Sequence, residues 1–290
     1  MKSTVYFSNN INSLELVKLF KHLGVKLQGK VCVKLHSGEP GNQNFLGPDF
    51  FKEIIEHVNG VVVEANTAYD GERNTSEKHL KALEKHGWKK HFKVDLLDEF
   101  GPDLELDIPN GKIINKNYVG KNIKNYDSML VLSHFKGHPM GGYGGAIKQL
   151  SIGIASSYGK AYIHGCGVPE NIWTANHDDF LSSMADAASS VVELFKGNIV
   201  YINVMKNMSV DCDCCSVAED PCIKDIGVLI STDPVAIDKA CIDLVYNSTD
   251  PGKDHFIERV ESRNGTLTIK EAEKLGLGTT NYQLININEQ

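Results

Sequence analysis

The chain has 290 residues, 30 Lys and Arg against 37 Asp and Glu, a formal net charge of −7, and 41% hydrophobic and 23% charged residues. That is ordinary globular composition, enough for one family domain over 1–290 or for two lobes, 1–125 and 126–290. There is no basic excess and no stretch near the roughly 18 apolar residues of a membrane span, so neither nucleic acid nor a bilayer is expected as a partner.

The start, MKSTVYFSNN, lacks the charged and apolar regions of a secretory signal. Seven cysteines, four of them clustered, fit a reducing compartment better than a disulfide framework, and the expected location is the cytoplasm.

Along the chain, apolar β-rich runs alternate with helix-like segments. Thr4 to Ser8 reads as a strand, and Ser13 to Leu23 repeats Leu16, Leu19, Phe20 and Leu23 at helical spacing. KVCVKL (Lys30 to Leu35) is a strand, Pro48 opens a helix to His57, and GVVVE (Gly60 to Glu64) is a buried strand. Ser76 to His86 is helical up to the stop signal Gly87, and Phe92 to Leu97 is strand-like. Residues 98–125 break the rhythm at Gly101-Pro102, Pro109-Asn-Gly and Gly120, as short strands and turns of an antiparallel excursion would.

The alternation then resumes. SMLVL (Ser128 to Leu132) is a strand, Ala146 to about Ile154 a helix, and Ala161 to His164 a short strand. Asp178 to Phe195 is an amphipathic helix, followed by strands at Asn198 to Val204 and Ile226 to Ile230. Asp233-Pro234 starts a helix running to about Tyr246, and Tyr282 to Ile287 closes the chain as a strand. The pattern predicts an α/β fold, a Rossmann-like, mostly parallel sheet with helices on both faces.

Ligands of such sheets bind outside the carboxyl ends of the strands. There the sequence places His36 and Glu39, then Asn66, Tyr69, Asp70, Glu72 and Arg73, then His134, Lys136 and His138, and then His164. The stretch SHFKGHPMGGYGGAIK is the densest of these. Gly137, Gly141, Gly142, Gly144 and Gly145 permit positive φ and close backbone approach. The stretch leads into a helix N-terminus with Lys148 on its first turn, an arrangement suited to an anion, although it does not match the GxxxxGK[ST] phosphate loop.

Cys212, Cys214, Cys215 and Cys222 fall in VDCDCCSVAEDPCI. The spacing matches neither the zinc C-x2-C pair nor the ferredoxin run, and three readings stay open: a zinc or iron–sulfur site, a redox-active thiol pair, or no role. Cys32 and Cys241 sit on apolar faces and are expected in the core.

KLHSGEPGN, SHFKGHPMGGYGGAIKQLSIGIASSYGK, the CDC at Cys212 to Cys214 and DIGVLISTDPVAIDKA together resemble the prokaryotic family called domain of unknown function 362. That family has no agreed activity, and many members append a ferredoxin-like module that this sequence does not contain. The central motif is also similar, more distantly, to that of the nickel-pincer lactate racemases. His138 and Lys148 are separated by nine residues, and Lys148 and His164 by fifteen, as in those enzymes. The resemblance implies that Lys148 anchors or contacts a cofactor, that His164 ligates a metal and that His138 moves protons. Glu72 stands where the racemases carry a second catalytic histidine, which argues against two-base racemisation.

Together these readings give a metal- or cofactor-dependent enzyme acting on a small anionic molecule. His138 and Glu72 would transfer protons, and the glycine stretch with Lys148 would hold a cofactor. Arg73, Lys136, Lys34 and Glu39 would bind the anion. His164, His36 and the cysteines would ligate nickel, iron or zinc, which share these ligand types. Two alternatives remain: an iron–sulfur or redox protein with a ferredoxin-type electron partner, and a non-catalytic anion- or nucleotide-binding protein.

Overall fold

A computed structural model describes residues 2–101 and 103–289, so Pro102 of the expected turn lies outside the described residues. In chain order the elements are β1 (Ser3–Ser8), α1 (Ser13–Leu23), β2 (Val31–Lys34), α2 (Pro48–His57), β3 (Val61–Glu64), α3 (Ser76–Lys85), α4 (Trp88–His91) and β4 (Val94–Leu96). A hairpin follows from β5 (Leu104–Asp107) and β6 (Lys116–Val119), then β7 (Ser128–His134) and a second hairpin, β8 (Lys136–His138) with β9 (Gly142–Gly144). Next come α5 (Ala146–Lys148), α6 (Ser157–His164), α7 (His177–Leu194), β10 (Ile199–Met205) and β11 (Gly227–Ser231). The chain ends with α8 (Pro234–Tyr246), α9 (Lys253–Ser262), α10 (Leu267–Lys274) and β12 (Tyr282–Asn286).

Eight strands form one sheet in the order β12-β1-β11-β10-β7-β2-β3-β4. β10, β7, β2, β3 and β4 pair in parallel, as do β1 and β12, while β11 runs antiparallel to both of its neighbours. The expected mostly parallel α/β sheet is therefore present, with β11 reversed. It draws strands from both sides of residue 125: β2 lies directly against β7.

The period-two alternation of buried strands decides which helix layer each side chain meets. Val31, Val33, Leu130 and Leu132 face one core with Leu16 and Leu19 of α1, Phe51 and Ile54 of α2, Leu83 of α3 and Trp88 of α4. Cys32, Met129 and Val131 face the other, with Ile147 of α5, Ala188 of α7, Val235 of α8, Phe256 of α9 and Ile269 of α10. Cys32 and Cys241 are buried in this second core.

Local signals explain most boundaries. The Asn12 side chain accepts from the Glu15 N–H and Gly24 closes α1 at φ 71°. Asp233 accepts from the N–H groups of Val235 and Ala236 and starts α8. One element is corrected: Ala161 to His164 is not a strand but the last turn of α6, which begins where the Ser156 hydroxyl accepts from the Gly159 N–H. The cap outweighs the β-rich look of AYIH. The helix beginning at Ala146 turns into a π-helical segment over Gln149–Gly153, a geometry often found at functional sites.

Candidate functional site

The parallel strands β2, β3, β7 and β10 end on one edge of the sheet, and a cavity of about 330 Å³ opens there. Its wall holds cationic residues Lys34, Arg73, Lys136, Lys148 and Lys160 together with His36, His134, His138 and His164. Four of these cations are nearly fully buried: Lys34, Arg73, Lys136 and Lys160.

The β8–β9 hairpin brings its residues in by backbone contact. The Gly137 N–H donates to the Ser209 carbonyl over 2.8 Å, and a Cβ on Gly137 would sit 2.3 Å from the Val210 oxygen. Only glycine lets the hairpin approach so closely the segment that carries Cys212. Of the hairpin glycines, Gly142 has positive φ, at 77°. Gly144 and Gly145 line the cavity, whereas Gly141 donates its N–H to His138 Nδ1 over 2.8 Å, and neither Gly141 nor Gly142 is among the lining residues.

The anion expected at the α5 N-terminus is supplied by the protein itself. The buried carboxylate of Asp238 accepts from the Ala146 and Ile147 N–H groups at 2.7 and 3.0 Å, from Asn203 Nδ2 at 2.7 Å and from the Tyr143 hydroxyl. Burial pushes Asp238 up to about 6 against these four donors. A ligand is thus not held by this helix end, and Lys148, one turn on, offers its ammonium instead.

Charge pairing divides the cations. Lys34 pairs with Glu64, Arg73 Nε with Glu39 at 2.6 Å, and Lys136 with Asp213 at 2.8 Å. Asp213 also accepts from His134 Nδ1 at 2.9 Å, while His134 Nε2 donates to the Lys206 carbonyl at 2.6 Å. Lys148 and Lys160 have no carboxylate partner among the described residues. Lys148 Nζ lies 3.6 Å from Cys212 Sγ, and Lys160 rests on the carbonyls of Ala155 (2.5 Å) and Ala65 (3.4 Å). Burial lowers the Lys160 ammonium to about 7. Arg73 Nη2 is buried without a hydrogen-bond partner.

The two histidines of the central motif hold opposite tautomers. His138 Nδ1 accepts backbone N–H bonds from Met140 and Gly141, so its ring proton is on Nε2. His164 Nδ1 lies 2.8 Å from the Lys160 carbonyl, which only accepts, so its lone pair is on Nε2. Burial, with Lys148 nearby, drives His138 down to about 4, and burial does the same to His164. Both rings are therefore neutral near pH 7. One has a proton to give and the other a lone pair. His36 resembles His138: Nδ1 accepts from the Gly38 N–H, and burial holds the ring well below its ordinary range.

Cys212 is fully buried behind this wall, and Cys214 and Cys215 reach the cavity surface. Donor atoms of His138, Cys212 and Cys214 all lie within 4.8 Å of one another, with His138 Nε2 3.9 Å from Cys214 Sγ. Sulfur and nitrogen ligands of a tetrahedral zinc lie about 3.6 Å apart, so the spacing fits a soft metal. Burial opposes ionisation of Cys212, yet Cys214, Lys148, Lys136 and His138 hold its thiol well below the ordinary range. Cys214 remains the protonated partner, raised by its contacts with Cys212 and Cys215.

Other expected residues lie elsewhere. Cys222 Sγ is directed to the Met208 carbonyl, so the four clustered thiols do not converge. Glu72 is exposed and outside the cavity; its backbone N–H donates to Glu39 Oε1 at 3.0 Å. Glu39 does not touch the cavity but orients Arg73. Lys160, Glu64 and Asp238 carry the site without having stood out in the sequence, and Asp213, expected at most as a metal ligand beside the cysteines, instead pairs with His134 and Lys136. Asp213 lay inside the cysteine motif, and Lys160 and Asp238 lay inside the longer motifs quoted for the family.

The sheet topology, with a cation-lined cavity at its carboxyl edge and a His/Cys cluster that could hold a metal, defines an α/β protein. The family described as Domain of unknown function (DUF362) matches residues 31–243, and the chain belongs to that family. No curated protein matches it. Among solved structures it is similar to the lactate racemase apoprotein of Thermoanaerobacterium thermosaccharolyticum, with 17% identity and a TM-score of 0.42 over 69% of this chain and 50% of that one. It is also similar to a structural-genomics protein of Thermotoga maritima, with 12% identity and a TM-score of 0.46 over 90% of this chain and 58% of that one. The chain thus spans between half and three-fifths of the length of these neighbours. Among the described residues no helix is long and apolar enough to cross a membrane.

Proposed function

We propose that the protein is a metal- or cofactor-dependent enzyme that binds a small organic anion in this cavity. The observation that carries the reading is unfilled pairing capacity in the wall: Lys160 has no carboxylate partner among the described residues, Lys148 has only the Cys212 thiol beside it, and Arg73 Nη2 has no hydrogen-bond partner although its Nε pairs with Glu39. Cations kept in a buried wall cost stability unless something pairs with them, and a carboxylate or phosphate would do so. Lys34, Lys136 and the carboxylates Glu64 and Asp213 form the fixed frame around that space.

Within this frame His138 Nε2–H would give a proton and His164 Nε2 would take one. Cys212 and Cys214 are the groups that would hold a soft metal ion or a cofactor metal. When bound, such an ion would polarise an oxygen of the anion. Lys148, beside Cys212, would contact or anchor a cofactor.

The test is metal titration under argon, using nickel and zinc separately. The expected result is saturation near one ion per chain for at least one metal, lost in the double variant Cys212→Ser/Cys214→Ser and retained in Cys222→Ser. Equal metal binding in all three proteins would remove the Cys212–Cys214 assignment.

A further inference from the structure

The cavity changes character between floor and mouth. Its floor is the buried set Lys34, Arg73, Lys136 and Lys160. Its mouth is formed by partly exposed apolar side chains: Met140, Ile152, Ile172 and Trp173, with Tyr69 beside them. Trp173 is 66% exposed, and its ring centroid lies 6.5 Å from that of Tyr69. A large aromatic surface left in water at the rim of a cavity marks a place where a ligand can be covered.

Size points the same way. A cavity of about 150 Å³ accommodates a benzene ring. The 330 Å³ here is room for a ring together with an anionic head and a bound ion. A three-carbon acid held by the floor alone would leave the apolar mouth wet.

We infer that the ligand is an amphipathic organic anion, a carboxylate joined through a short link to an aromatic or branched apolar group. Its head meets Arg73 Nη2, Lys148 and Lys160, and its tail lies against Trp173, Tyr69 and Ile172. This rests on the anion site proposed above and narrows its substrate class.

Calorimetry with propionate and 3-phenylpropionate on the metal-loaded protein tests it. The expected result is at least tenfold tighter binding of 3-phenylpropionate, from burying part of one ring. Trp173→Ala should cut that ratio to about threefold or less, and Trp173→Phe should keep most of it. Trp173 emission should shift on adding 3-phenylpropionate, since Trp88, the other tryptophan of the chain, is fully buried. Equal affinity for the two acids, or a ratio untouched by Trp173→Ala, overturns the inference and leaves the anion site standing. Absence of binding by either acid overturns both.

Discussion

At the scale of single residues, two lysines of the same wall should behave differently when replaced. Lys136 holds Asp213 in a buried pair, so Lys136→Met should cost about 3 kcal/mol, the low end of the range because His134 still donates to Asp213. Lys148 leaves no carboxylate behind, so Lys148→Met should change stability by less than about 1 kcal/mol. Chemical denaturation of the two variants checks this, and similar losses in both would contradict the pairing scheme. His79 gives a pH signature. It is fully buried, its Nδ1 is 3.2 Å from Asn66 Oδ1, and burial lowers it to about 3. The unfolded chain takes up this proton below about pH 6.5 while the folded chain does not, so the contribution is present above 6.5 and lost as pH falls toward 3. Between pH 7 and pH 5 wild type should therefore lose on the order of 2 kcal/mol more than His79→Gln. Parallel losses in the two proteins would show that His79 does not titrate this way.

At the scale of elements, the β8–β9 hairpin and α5 act as one bracket for the site. Alanine at 145 would place a Cβ 2.4 Å from Asp238 Oδ1, so Gly145→Ala should displace the carboxylate that caps α5 and cost about 1–3 kcal/mol. Alanine at 144 meets only Lys148 Cδ at 3.4 Å and Lys136 Cε at 3.8 Å. Gly144→Ala should fold almost normally and weaken anion binding by crowding the two lysines. Thermal melts and anion titration on both variants check the contrast; a stable Gly145→Ala with full binding would contradict it. The glycine density of this stretch was visible in the sequence, but its reason was not. Two of the five, Gly137 and Gly145, serve close approach, to Val210 and to Asp238, and such neighbours are set by tertiary packing. The same limit explains α6. The run AYIH has strand-like composition, whereas the Ser156 cap that settles the matter lies five residues before it. Capped and periodic elements such as α1, α2 and α8 were legible because their signals are local.

At the scale of the whole molecule, the parallel sheet collects residues from distant parts of the chain at one edge. His36, Arg73, Lys136, His138, Lys148 and His164 were each readable as polar residues near element ends, and the cavity gathers all six. The partners that give them chemistry were less readable: Glu64 is a strand residue thirty positions from Lys34, and Asp213 lies seventy-seven positions from Lys136. Glu72 and Cys222 show the opposite error. Each sits close in sequence to site residues, yet the local backbone turns it away. Sequence proximity could not separate Cys222 from Cys212 and Cys214, because direction is set by the turn between them. The most direct test of the account is a calorimetric titration of 3-phenylpropionate into the metal-loaded protein under argon, run in parallel on Lys148→Met. The account predicts one saturable site per chain and at least tenfold weaker binding in the variant. No saturable binding in wild type, or the same affinity in both proteins, would contradict it.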